Sequence, residues 1–216
     1  MTEFGNSLIY DIEILKAILG RGEDRIEGIQ YCDGWHDHAG MGISVIGAYD
    51  YAEARYRVFC ADNFVEFLEL CAARAPLVSF NGIGFDDKVI NACAATTIHS
   101  SVGMPREPFR YDLLAEIWRA AGLDPTFGGN SHTGYGLDAT CEVNFGIRKS
   151  GDGAHAPIAW QQGRVGEVID YCLNDIRITK RLFDHAVVLG EPIVLAKTGA
   201  SVRLRTLDQV ERTYLG

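Results

Sequence analysis

The chain is short of basic residues and of proline, and it contains neither a long apolar run nor a CxxC pair. Its 216 residues carry 20 Lys plus Arg against 29 Asp plus Glu, a formal net charge of -9 at pH 7. Proteins that wrap nucleic acid by bulk electrostatics present basic patches, so this balance argues against that class. No stretch approaches the ~18 consecutive apolar residues of a membrane span. The first residues, Met1-Thr2-Glu3-Phe4-Gly5-Asn6, have neither the basic segment nor the apolar core of a secretory signal. The six cysteines (Cys32, Cys60, Cys71, Cys93, Cys141 and Cys172) sit mostly in apolar or helical runs. They read as free buried thiols in a reducing compartment, and a cytoplasmic location is expected. Internal repeats and low-complexity linkers are also lacking.

What is present is a globular composition, 47% hydrophobic and 23% charged. A single domain of this size buries roughly 70% of its unfolded surface. Residues 7–12 read as a short apolar strand ending in carboxylates, and 13–40 as a polar, Gly-rich loop. Strands are expected over 41–49, 55–60 and 77–80, and helices near 63–72, 85–95, 111–121, 137–145 and 165–188. Residues 124–136 and 149–157 read as loops. The mixture predicts an α/β sheet containing an antiparallel pair, flanked by helices. Residues 1–190 form the expected domain, and 191–216 an extension with a possible edge strand at 201–206.

Carboxylates fall at three element ends. Asp11 and Glu13 are two apart at the end of the first strand, which puts them on one side of it. Asp86 opens a helix within Asn81-Gly82-Ile83-Gly84-Phe85-Asp86. Asp175 lies one turn after Tyr171 in the longest helix, on the same face. Carboxylates from strand ends and a helix can converge beyond the edge of an α/β sheet. Four in one cleft repel unless cations neutralise them, and hard oxygen donors select Mg²⁺ or Mn²⁺. Two such ions clamp an in-line phosphoryl transfer.

This ordered set resembles the DEDD superfamily of 3'–5' exonucleases, with the D-x-E, N-G-x-x-F-D and Y-x-x-x-D motifs of its tyrosine subgroup (DEDDy). It is most similar to the proofreading branch of family B DNA polymerases and their free-standing phage and bacterial relatives. The resemblance spans about residues 8–188 and implies an RNase H-like fold and a two-metal exonuclease cutting single nucleotides from a 3' end. Single-stranded DNA is the implied substrate, with RNA left open. By resemblance, Asp11 bridges both metals, Glu13 and Asp175 hold the metal carrying the attacking water, and Asp86 binds the second. Tyr171 orients the water. Asn81 fixes its turn or touches the terminal nucleotide, and Ile14 stands where relatives often carry Thr, its N–H facing the terminal sugar. Phe85 and Lys149 complete the implied substrate contacts. A polymerase, helicase or other replication or repair protein is the kind of partner implied, without a membrane. The alternative is a non-catalytic nucleic-acid-binding or scaffold subunit that keeps the fold.

Other polar residues read more plainly. Asp87 is expected to be a solvated first-turn acid favouring the helix dipole. Asp112 reads as a helix cap or a support for the site. Trp35-His36-Asp37-His38 lacks metal-ligand spacing and reads as a polar loop. His132 and His155 read as surface residues, and Asp184 as a surface acid beyond reach of the site. In the tail, Lys197, Arg203, Arg205 and Arg212 outnumber Glu191, Asp208 and Glu211 by one, so the acidity is concentrated in the rest of the chain.

Overall fold

A computed structural model describes residues 4–96, 103, 104, 110–148, 151 and 153–214. Its elements are β1 (Leu8–Ile14), β2 (Ala17–Ile18), β3 (Tyr31–Cys32), α1 (His38–Met41), β4 (Ile43–Asp50), β5 (Arg55–Phe59), α2 (Phe64–Ala72), β6 (Leu77–Ser79) and α3 (Asp86–Thr96). They continue with β7 (Arg110–Asp112), α4 (Leu113–Ala120), α5 (Leu137–Phe145), α6 (Ala156–Gln161), α7 (Val165–Phe183), β8 (Ile193–Val194), β9 (Ser201–Val202) and α8 (Leu207–Tyr214).

Five strands form the main sheet in the order β5-β4-β1-β6-β7. β4 lies antiparallel between β1 and β5, whereas β6 and β7 run parallel to β1 and to each other. The mixed sheet with an antiparallel pair therefore forms as expected, with one strand more than the periodicity shows. Arg110–Asp112 is β7, not the first turn of a helix, because it pairs with Leu77–Ser79 before Asp112 caps α4. Three residues are too few to register as alternation.

Side chains alternate across β1. Leu8, Tyr10 and Ile12 join a core with α2 and α3, while Ile9 joins the opposite core with α4 and α7. The helices carry the matching stripes, such as Phe64, Phe67, Leu68 and Cys71 on α2. Ser201–Val202 pairs with Ile193–Val194 as a separate small ribbon, so the expected edge strand is shorter than drawn and does not extend the main sheet. Ile193, Leu195, Leu204, Leu207 and Val210 are all buried in the α4–α7 core. Among the described residues, no helix is long and apolar enough to cross a membrane.

Candidate active site

The central strand outruns its neighbour. β1 pairs with β6 only at Leu8–Leu77 and Ile9–Val78, and β6 ends at Ser79. Asp11 and Glu13 thus lie past the last β6 pairing, beside the strand ends where ligand clefts form in such sheets. On the other side, Asp11 sits opposite Gly47 and Glu13 opposite Val45, and the register shifts between Glu13 and Ile14.

The loop after β6 is held from below. Asn81 takes a left-handed backbone conformation (φ 70°), one that Asn tolerates better than most residues. The Asp112 carboxylate accepts the N–H groups of Asn81 at 2.9 Å and Ile83 at 3.1 Å, and also those of Leu114 at 3.0 Å and Ala115 at 3.3 Å. One buried carboxylate therefore caps α4 and pins the loop that leads into α3, the supporting role expected of it. Burial pushes the Asp112 carboxyl up from its usual value, against the pull of those four donors. Asp86, the first residue of α3, accepts the Ile12 N–H at 3.1 Å.

The neighbouring Asp87 corrects the sequence reading. It is not a solvated helix-end acid: it accepts the Tyr10 hydroxyl at 2.5 Å and Arg110 Nε at 2.9 Å. Both partners come from strands, Tyr10 from β1 and Arg110 from the β7 strand hidden in sequence. His132 is likewise buried, its ring meeting the Asp124 carbonyl and Ser131 hydroxyl. Asp184 accepts the Tyr51 hydroxyl and Lys180 and does not line the cleft.

Helix α7 packs across β1 and β4. Gly47 permits the approach: a Cβ there would lie 2.9 Å from Cys172 Sγ and 3.1 Å from Ile176 Cγ1. Tyr171 and Asp175 precede those two residues, one turn apart.

These elements enclose a cleft of about 500 Å³. Asp11, Glu13, Asp86, Tyr171 and Asp175 all line it, and so do Ile14, Asn81 and Phe85. Lys149 lies outside the described residues. The lining also includes Trp35 and Glu23, from the long loop, and Gly153 and Ala154. Sequence reasoning missed these four, and a tryptophan in a polar, Gly-rich loop was the one available signal. Among the described residues, neither Lys nor Arg lines this cleft. Glu13, Asp86 and Asp175 are buried there. Burial, and next the Asp11 charge, drive the Asp86 carboxyl well above its usual value.

Such crowding fits a divalent cation. Asp11, Glu13 and Cys172 offer donor atoms that all lie within 4.8 Å of one another. Cys172 is a poor member of that trio: burial, then Asp11 and Glu13, raise its thiol far above the usual value, and the sulfur donates to the Asp11 carbonyl. The useful donors are carboxylate oxygens, which suit a hard cation.

A mixed five-stranded sheet flanked by helices, with carboxylates at the end of its central strand, defines an RNase H-like domain. The RNase_H superfamily profile (RNase_H_2) matches residues 32–187, and the chain belongs to that superfamily. Its fold is similar to that of the family B DNA polymerase from the hyperthermophilic archaeon Pyrobaculum calidifontis, at 18% identity and a TM-score of 0.54, over 82% of this chain and 24% of that one. The ExoI/SSB-Ct complex is a more distant likeness, at 16% identity and a TM-score of 0.40, over 85% of this chain and 44% of that one. The chain thus spans about a quarter of the polymerase's length. No curated protein sequence matches significantly.

Proposed function

We propose that this chain is a metal-dependent 3'–5' exonuclease of the DEDDy type, hydrolysing phosphodiester bonds at the 3' end of single-stranded DNA. The observation that supports this most is the meeting of Asp11, Glu13, Asp86, Asp175 and Tyr171 around one acidic cleft. Membership of the RNase_H superfamily is consistent with it.

In this reading the four carboxylates hold two Mg²⁺ or Mn²⁺ ions. Bound there, the ions supply charge neutralisation for the phosphate and a lowered pKa for the attacking water. The Tyr171 hydroxyl orients that water along the line of attack. Asn81 and the Ile14 N–H hold the terminal nucleotide, and the Phe85 ring walls its base. Lys149 contacts a phosphate. Residues 1–190 carry the catalytic unit, and 191–216 brace it through the buried contacts of Leu204, Leu207 and Val210. A polymerase, helicase or other repair protein delivers the strand end.

The test is digestion of a 5'-labelled oligonucleotide by the full chain. A ladder shortening from the 3' end in Mg²⁺ or Mn²⁺, abolished by chelator and by Asp11→Asn, is expected. An intact strand in both metals would sink the proposal.

A further inference from the structure

A second, larger cavity of about 1100 Å³ adjoins the acidic cleft and shares Trp35, Asn81 and Phe85 with it. Its charge is opposite. Among the described residues, Lys88, Arg119, Arg205 and the Asp87-paired Arg110 line it against Asp112 and Glu116, whereas the acidic cleft is lined by five carboxylates and no Lys or Arg. Glu116 is buried and pairs with both Arg119 (3.0 Å) and Arg205 (2.7 Å), so this trio keeps a net positive charge and two guanidinium groups fixed at the groove wall.

Two aromatic rings stand open along this path. Trp35 is 72% exposed and Phe127 67% exposed. Neither ring is loose: the Trp35 and Phe85 ring centroids are 5.9 Å apart, and the Phe127 centroid lies 6.2 Å from that of Trp118 and 6.0 Å from that of His132. Exposed, braced rings beside cations are what unpaired bases and their phosphates need, because every base offers a face to stack.

We infer that this groove carries the single strand behind its 3' end, with bases stacked on Trp35 and Phe127 and phosphates along Lys88, Arg119 and Arg205. The assignment of which end enters rests on the exonuclease reading; the binding itself does not. Grip by stacking and a few cations also explains how a chain of net charge -9 holds a polyanion.

The experiment reads binding without hydrolysis. Fluorescein-labelled oligothymidylates, from dinucleotide to dodecamer, are titrated with the full chain in EDTA and followed by anisotropy. Affinity should climb with length and then level off. In Phe127→Ala the dodecamer should bind about tenfold more weakly, since stacking contributes on the order of 1–3 kcal/mol per base. In Lys88→Gln the salt dependence should flatten by roughly one phosphate contact. Wild-type affinity independent of length, or unchanged dodecamer binding in both variants, would overturn the groove. A chain that digests strands yet shows no variant effect sinks the groove alone. One that binds with this length dependence but digests nothing sinks the exonuclease reading alone.

Discussion

The Asp86 carboxylate accepts the backbone N–H of Ile12 at 3.1 Å, which fastens the start of α3 to the strand segment between Asp11 and Glu13. The bond draws the acids of two sequence motifs together, and buried carboxylates so close destabilise the metal-free fold. Asp86→Asn keeps an oxygen for the Ile12 N–H and removes one charge. Its metal-free Tm should rise by about 2–4 °C, the shift of roughly 1 kcal/mol in a domain of this size. Digestion should fall at least about 100-fold, and Mn²⁺ should raise the Tm less than in the wild type. Differential scanning calorimetry with and without Mn²⁺ checks this; equal metal stabilisation of both proteins would remove Asp86 from the metal set.

Asp112 acts at a distance. Its carboxylate accepts two loop amides and two helix amides, and an Asn side chain has one acceptor oxygen and one donor. Asp112→Asn can keep the three donors on Oδ1 but turns an NH₂ toward the part-buried Ile83 N–H, and should cost about 1–3 kcal/mol. Amide hydrogen exchange at Asn81 and Ile83 should accelerate, while Ile9 and Tyr10 in β1 stay protected. Uniform acceleration across the sheet would show that Asp112 stabilises the fold generally and does not specifically hold the loop.

The motif residues were legible because their chemistry is local to the sequence. D-x-E on a strand and Y-x-x-x-D on a helix each fix a shared face by backbone period alone. The apolar spacing of α2 and the length of α7 showed for the same reason. What escaped was set by tertiary pairing. β7 is three residues long and forms only against β6. Asp87 looks like any helix-end acid until β1 and β7 bring Tyr10 and Arg110 to it. Trp35 sits in a segment without period, and only the closed fold sets it beside Phe85. His132 lies in a Gly-rich loop, a setting that is usually exposed, and is buried because Trp118 and Phe127 pack against it.

Acid stability should be governed far from the cleft. Asp50 is fully buried and accepts Arg74 Nε at 2.8 Å and Arg74 Nη2 at 2.9 Å. Burial pushes its carboxyl up, but the Arg74 hydrogen bonds and charge outweigh that and leave it below the usual value. A depressed carboxylate contributes stability above its unfolded pKa, near 4, and loses it as pH falls through the folded value. Wild-type Tm should therefore drop below about pH 4. Arg74→Met leaves the buried Asp50 charge to the Ala52 N–H at 3.0 Å and Arg57 at 3.5 Å, and should cost up to about 3 kcal/mol at pH 7. With much of the depression gone, this variant should lose less stability than the wild type as pH falls toward and below 4. Parallel acid dependence in the two proteins would show that the pair does not govern it.

The placement of α7 depends on a missing side chain. Gly47 lies opposite Asp11 on the neighbouring strand, and a Cβ there would meet Cys172 Sγ at 2.9 Å and Ile176 Cγ1 at 3.1 Å. Gly47→Ala should push the helix off the sheet and cost about 1–3 kcal/mol, the usual range for overpacking. It should also move Tyr171 and Asp175 away from Asp11, and a misplacement near 1 Å can cost about 100-fold in rate. Cys172→Ala alone should leave a small void and cost less. If the sulfur is what sets the spacing, the double variant should recover much of the stability and rate, with a coupling energy of about 0.5–3 kcal/mol. A methyl at position 47 then occupies space that the sulfur gave up, and the helix returns. Losses that simply add in the double variant would mean that Ile176, not Cys172, fixes the distance between the helix and the strand.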